Sequence, residues 1–152
     1  MITRSATSQD ISALVELDEQ SAPVDAIDGV EARILDKPDL LEWMLQHDGI
    51  VVAIDEGRVV GYVLSHVVKW MHGIPELVWL EHIGVHPDFR RRGVALALLE
   101  AVSSKYHGRA SCLHASIHPK NLASLRLMAR LHAETGERVL AYVQLSSPTR
   151  AI

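Results

Sequence analysis

The 152-residue chain has a single cysteine, Cys112. That excludes an internal disulfide framework and any zinc site built on several thiolates. Long hydrophobic runs are missing too. The longest, Val94 to Leu99, is far too short to span a bilayer. The first residues, Met1-Ile2-Thr3-Arg4-Ser5, lack the apolar core of a signal peptide. The expectation is a cytoplasmic protein with no membrane partner. Neither Gly-x-x-x-x-Gly-Lys-Ser/Thr nor Gly-x-Gly-x-x-Gly occurs, which removes the two commonest nucleotide loops. The nine histidines include no His-Glu-x-x-His pair. His82, His114 and His118 fall on or beside neighbouring strands, but His114 and His118 lie on a strand-to-turn segment rather than on one helix. No metal site is expected.

What is present is ordinary in bulk and uneven in charge. Hydrophobic residues make up 48% and charged residues 22%, a composition that suits one soluble domain with a real core. The net charge of −4 hides a split. Residues 10–56 hold 13 of the 19 Asp and Glu against only Arg33 and Lys37, which gives −11, so the remainder carries +7. This argues against nucleic-acid binding by the whole surface. It fits a C-terminal two-thirds that holds an anionic ligand. The acidic part either faces a cationic partner or only keeps the surface soluble.

Periodicity predicts a short strand at Ile2–Ala6, then a capping box of Thr7 with Asp10 and a helix through Ile11, Leu14 and Val15. Pro38 starts a second helix to Gln46. Ile50–Ile54 and Val59–Leu64 read as a hairpin about Glu56-Gly57. Trp70–Pro75 reads as a loop, Leu77–Val85 as a central strand, and residues 93–106 as a helix. Ala110–Ile117 is a further strand, Asn121–His132 a helix and Arg138–Leu145 a last strand. The order β-α-α-β-β-β-α-β-α-β makes an α/β (α+β) mixed sheet with helices on both faces, hence three layers. A single domain over residues 1–146 is expected, with residues 147–152 as a frayed tail.

The most informative stretch is Ile83-Gly84-Val85-His86-Pro87-Asp88-Phe89-Arg90-Arg91-Arg92-Gly93-Val94-Ala95. A strand runs into a proline-started turn, three arginines, a glycine and a helix. A helix N-terminus presents unpaired N–H groups and a positive dipole end, and a glycine lets an anion come close. The physics is that of a phosphate or pyrophosphate site. Arg90-x-x-Gly93-x-Ala95, after the apolar-x-Val-x-Pro run, resembles the acyl-CoA motif of the GNAT superfamily of N-acetyltransferases. His118-Pro119-Lys120-Asn121-Leu122-Ala123-Ser124 resembles that family's second signature.

The resemblance implies acetyl-CoA as co-substrate and a primary amine, on a small molecule or a peptide, as acceptor. It puts the main chain of Ile83 and Val85 against pantetheine, and the N–H groups of Arg91, Arg92, Gly93, Val94 and Ala95 around the pyrophosphate. Arg90 stands at the first motif position; Arg91 or Arg92 reaches the phosphates or the adenosine end. Asn121 would bond the pantetheine arm, or cap the helix, or both, and Ser124 would line the channel. Met128 stands where the family often has a proton-donating tyrosine, and methionine donates nothing. Tyr142, Tyr106, His114 or a water remain as the acid. Homodimers are common in proteins that look like this, yet no segment marks an interface.

The general base is read from the residues. On the central strand, period two places Glu81 on the face of Ile83 and Val85, and His82 on the other. Among Trp79, Leu80, Ile83 and Val85 its carboxylate would be partly desolvated, which suits a base working near neutrality. Cys112 reads as a small packed hydrophobe rather than a nucleophile. Two further readings stand beside the enzyme: a non-catalytic acyl-CoA-binding or regulatory module on the same fold, and an unrelated anion-binding α/β protein.

Overall fold

β-Branched runs flanking Glu56-Gly57 fold back as strands β2 (Ile50–Asp55) and β3 (Arg58–Met71). Both turn residues have positive φ, 48° and 81°, the pattern of a two-residue hairpin turn whose twist matches its strands. The computed structural model describes residues 1–21, 35 and 37–136. Strand β1 (Ile2–Ser5) is followed by a 3-10 turn, helix α1 (Ile11–Ser21) and helix α2 (Pro38–Gln46). After β2 and β3 come β4 (Ile74–Val85), a second 3-10 turn at Pro87–Phe89, α3 (Val94–Tyr106), β5 (Leu113–Ala115) and α4 (Leu122–Arg130). The strand expected at Arg138–Leu145 and the boundary at residue 146 lie outside the described residues.

The five strands stand in chain order, β1-β2-β3-β4-β5. The first four pair antiparallel, and β5 joins β4 parallel. One face packs Val51, Val63, Val78 and Leu80 against Leu98, Leu99 and Val102 of α3 and Met128 of α4. The other packs Val52, Tyr62 and Leu64 against Leu14 and Leu17 of α1 and Leu41 and Met44 of α2. The expected mixed sheet with helices on both faces is therefore what forms.

Two expected boundaries need correction. Trp70–Pro75 is not a loop. β3 continues to Met71 and β4 begins at Ile74, with Met71 paired to Ile74 across a turn of His72 (φ 52°) and Gly73 (φ 79°). Paired β-branched residues such as Val67 and Val78 extend the ladder well past Leu64. The strand expected over Ala110–Ile117 shrinks to Leu113–Ala115, because pairing with β4 stops at Leu80.

Candidate functional site

The end of β4 has one bare edge. β5 pairs with Val78, Trp79 and Leu80 and goes no further, whereas β4 runs on to Val85. The His86 N–H bonds the Val60 carbonyl on β3 at 3.0 Å. Strand alternation then turns the Gly84 main chain toward β3, and that of Ile83 and Val85 toward the side that β5 has left. Among the described residues no strand pairs with that edge. An extended ligand laid along that edge can take its hydrogen bonds as an added strand would.

The edge leads into the arginine turn. The Arg90 guanidinium folds back, its Nε donating to the Val85 carbonyl at 3.3 Å. Arg58 approaches Nε2 of buried His86 at 2.7 Å. Arg92 lies 5.1 Å over the Phe89 ring, a cation–π contact. Arg91 and Arg92 are exposed, and among the described residues neither is in an ion pair. Gly93 caps α3 in the left-handed conformation (φ 84°), and a Cβ there would meet nothing within 4 Å. The first helical bond is Ala97 N–H to Gly93 carbonyl, at 3.0 Å. The N–H groups of Val94, Ala95 and Leu96 precede it and have no carbonyl of the helix to meet. The Val94 side chain is buried beneath the sheet, so Val94 offers the site only its backbone. α3 seats this close because β3 carries Gly61: a Cβ there would stand 2.7 Å from Val94 Cγ1.

Asn121 caps α4, its Oδ1 accepting from the Ser124 N–H at 3.0 Å. That bond uses the amide oxygen and leaves the amide nitrogen's two donors outside the cap. Asn121 and Ser124 are both half-buried. Met128, one turn further, is only 9% exposed and packs into the α3-side core. Of the candidate acids, Tyr106 sits at the far end of α3, about 20 Å along the helix from Gly93. His114 pairs opposite Trp79. Tyr142 lies outside the described residues.

Glu81 departs from its expected setting. Leu64 pairs with His82, but the next residue, Ser65, pairs with Leu80. Glu81 is the extra residue of a β-bulge, and a bulge resets the alternation. Leu80, Ile83 and Val85 all lie on the α3 side. Alternation from Leu80 therefore turns Glu81 to the α1/α2 side, away from Ile83 and Val85. His82 stacks on Tyr62 of the α1/α2-side core, with ring centroids 5.7 Å apart, so it shares that side with Glu81. Glu81 is also exposed rather than desolvated.

The residues give no hint of the group behind His82. Tyr62 is fully buried and donates to Asp18 at 2.6 Å, while Asp18 accepts the Leu35 N–H at 3.0 Å. The ring crosses Gly84 so closely that a Cβ there would stand 2.5 Å from it. The usable signal was Glu81-His82 itself: two polar residues in succession inside an otherwise apolar central strand, where strict alternation allows one.

Residues 12–133 match the model of the acetyltransferase (GNAT) family. The chain belongs to that family. Aminoglycoside N-acetyltransferase AAC(6')-Iy in complex with CoA superposes with a TM-score of 0.75 at 24% identity, covering 95% of this chain and all of that one. The same enzyme with a bisubstrate analogue, CoA-S-monomethyl-acetylneamine, gives 0.73 at 26% identity, covering 95% of this chain and 98% of the other. A ribosomal-protein-alanine N-acetyltransferase from Brucella melitensis biovar Abortus 2308 gives 0.71 at 19% identity over 95% of this chain and 100% of that one. No curated protein sequence matches the chain. In this GNAT chain, no helix among the described residues is long and apolar enough to cross a membrane. No group of three metal-ligating side chains occurs among those residues either.

Proposed function

We propose that this GNAT protein transfers the acetyl group of acetyl-CoA to a primary amine by direct attack. The observation that carries the reading is a continuous path. The bare β4 edge at Ile83 and Val85 runs straight into the left-handed Gly93 and the open N-terminus of α3, flanked by Arg91 and Arg92. The edge suits an amide-bearing pantetheine arm, and the helix end suits a pyrophosphate. Both fit one ligand. The N–H groups of Val94 and Ala95 receive the phosphates, with Arg91 and Arg92 adding charge. Arg90 fixes the turn through Val85. Asn121 donates its amide N–H groups to the arm, and Ser124 lines the channel.

When bound, acetyl-CoA supplies an activated thioester whose thiol leaves readily, because thiol pKa values lie near ~8.5. Glu81 takes the proton from the incoming ammonium, directly or through a water, since exposure at the bulge leaves it room for one. Strand N–H groups of β4 hold the developing oxyanion. The working unit is one domain over residues 1–146, acting in the cytoplasm on a small or peptidic amine, without metal, nucleic acid or membrane, as monomer or homodimer.

One observation favours the second reading, an acyl-CoA-binding module without turnover: Met128 is buried where the family often places its tyrosine. A single experiment decides. Acetyl-CoA is titrated into the protein calorimetrically, and thiol release is then followed against a panel of amines. Binding with release is the expected result. Binding without release selects the binding module, and no binding overturns the acyl-CoA site.

A further inference from the structure

A strip of aromatic rings runs along the α1/α2 side of the β3–β4 hairpin. Trp43 of α2 is 41% exposed, although its helix neighbours Leu41 and Met44 are buried. It stacks on His47 with centroids 4.4 Å apart and meets His66 of β3 edge-on at 5.6 Å. His66 pairs directly with Trp79 across the ladder. Residues so opposed share a face. Val78 belongs to the α3-side core, so Trp79 looks the other way, toward α1/α2, and is half-buried. Two residues on, on the same side, stands the exposed carboxylate of Glu81. The Nδ1 of His66, within the strip, is buried and makes no hydrogen bond.

Core packing does not require an indole left this open. The faces of such rings are negative and attract ammonium groups, most strongly where water is partly excluded. Flat apolar bodies gain from stacking on them. An aliphatic polyamine gains the cation–ring contact alone, having no flat body to stack beside it. The geometry points to an acceptor that is a protonated amine carried on a flat apolar body, an arylalkylamine or the amine of an aromatic residue. Its ring lies along Trp79 and Trp43, and its ammonium reaches Glu81. This rests on the acetyl-transfer reading and names the acceptor class for it. Trp79 and Trp43 are specificity residues here; they take no part in proton transfer.

The test is thiol release with acetyl-CoA and four amines: tryptamine, 2-phenylethylamine, butylamine and spermidine. The expected kcat/KM for the two aromatic amines exceeds that for the aliphatic pair at least tenfold. Trp79→Ala is expected to raise KM for tryptamine about tenfold, with kcat and acetyl-CoA affinity within twofold of wild type. Trp79→Phe should restore most of the loss. Trp43→Ala, at an exposed position that folding tolerates, should raise the same KM by a smaller factor. Equal kcat/KM across the panel, or a preference for spermidine, overturns this inference and leaves acetyl transfer standing. Absence of thiol release with all four amines, acetyl-CoA still binding, overturns this inference and leaves acetyl transfer to the wider amine panel.

Discussion

Glu81 owes its place to one extra residue in β4. Counted back from Val85 and Ile83 without that bulge, its carboxylate would face α3 and the core. Replacing the carboxylate by an amide keeps the shape and removes the proposed base. Glu81→Gln is expected to leave acetyl-CoA affinity unchanged and to lower kcat/KM by about 10²-fold or more, with the deficit growing as pH falls below the acceptor amine's pKa. Thiol-release rates across pH read this directly, and unchanged rates at every pH would sink Glu81 as base. A different carboxylate governs stability. The Arg4 guanidinium donates to both oxygens of Asp10 at 2.8 Å, and together with the Thr7 N–H at 2.7 Å it outweighs burial and holds the acid at about 2, against 3.8 ordinarily. A lowered folded-state pKa stabilises the protein fully above the unfolded value, and the gain disappears as pH falls from about 4 to about 2. With Arg4 partly exposed and screened, the contribution is about 1 kcal/mol. Asp10→Asn should lower the urea midpoint at pH 7 and flatten its fall between pH 4 and pH 2; parallel pH curves for the two proteins would refute the pairing.

At the scale of elements, the N-terminus of α3 separates binding from folding. A Cβ on Gly93 meets no atom, so Gly93→Ala suffers only from the left-handed φ, about 1 kcal/mol. Gly93→Asp adds a carboxylate where phosphate is expected. It should weaken acetyl-CoA binding tenfold or more beyond the alanine variant while melting at nearly the same temperature. Equal affinity of the two variants, measured calorimetrically, would remove the phosphate site. This helix was legible because its signals are local: arginines, a glycine and an apolar run within the ten residues 90–99. The α4 cap was legible for the same reason, as Asn121 and Ser124 are three apart. The bulge was not, because Glu81 is surplus only in relation to Leu64 and Ser65 on another strand. The His72-Gly73 turn escaped as well. Its first residue is a histidine held at positive φ, and Pro75 in the following strand reads as a breaker. Local chemistry therefore announced the proposed anion site, while cross-strand register decided which face carries Glu81 and the aromatic strip.

Over the whole molecule, charge is sorted by the ligand each part would meet. The segment 10–56 carries −11 and the remainder +7, so the sum of −4 conceals two fields of opposite sign. α2, which bears Trp43, lies in the acidic segment; the arginine turn lies in the basic remainder. The proposed polyanionic co-substrate and cationic acceptor would thus be drawn by different segments of the chain, and neither would meet the repulsion of a uniformly charged chain. Exposed Arg91 and Arg92 act through solvent, where screening is strong: the Debye length falls to about 10 Å at 0.1 M salt. Acetyl-CoA affinity should therefore weaken several-fold between about 50 and 300 mM salt. In the Arg91→Ala/Arg92→Ala double variant the affinity should start lower and change less, since the backbone N–H groups of α3 remain and act at contact distance. Calorimetric titrations at several salt concentrations give both slopes. If the double variant keeps the full wild-type slope, the two arginines are solvated bystanders, and the helix N-terminus with Arg90 must hold the anion alone.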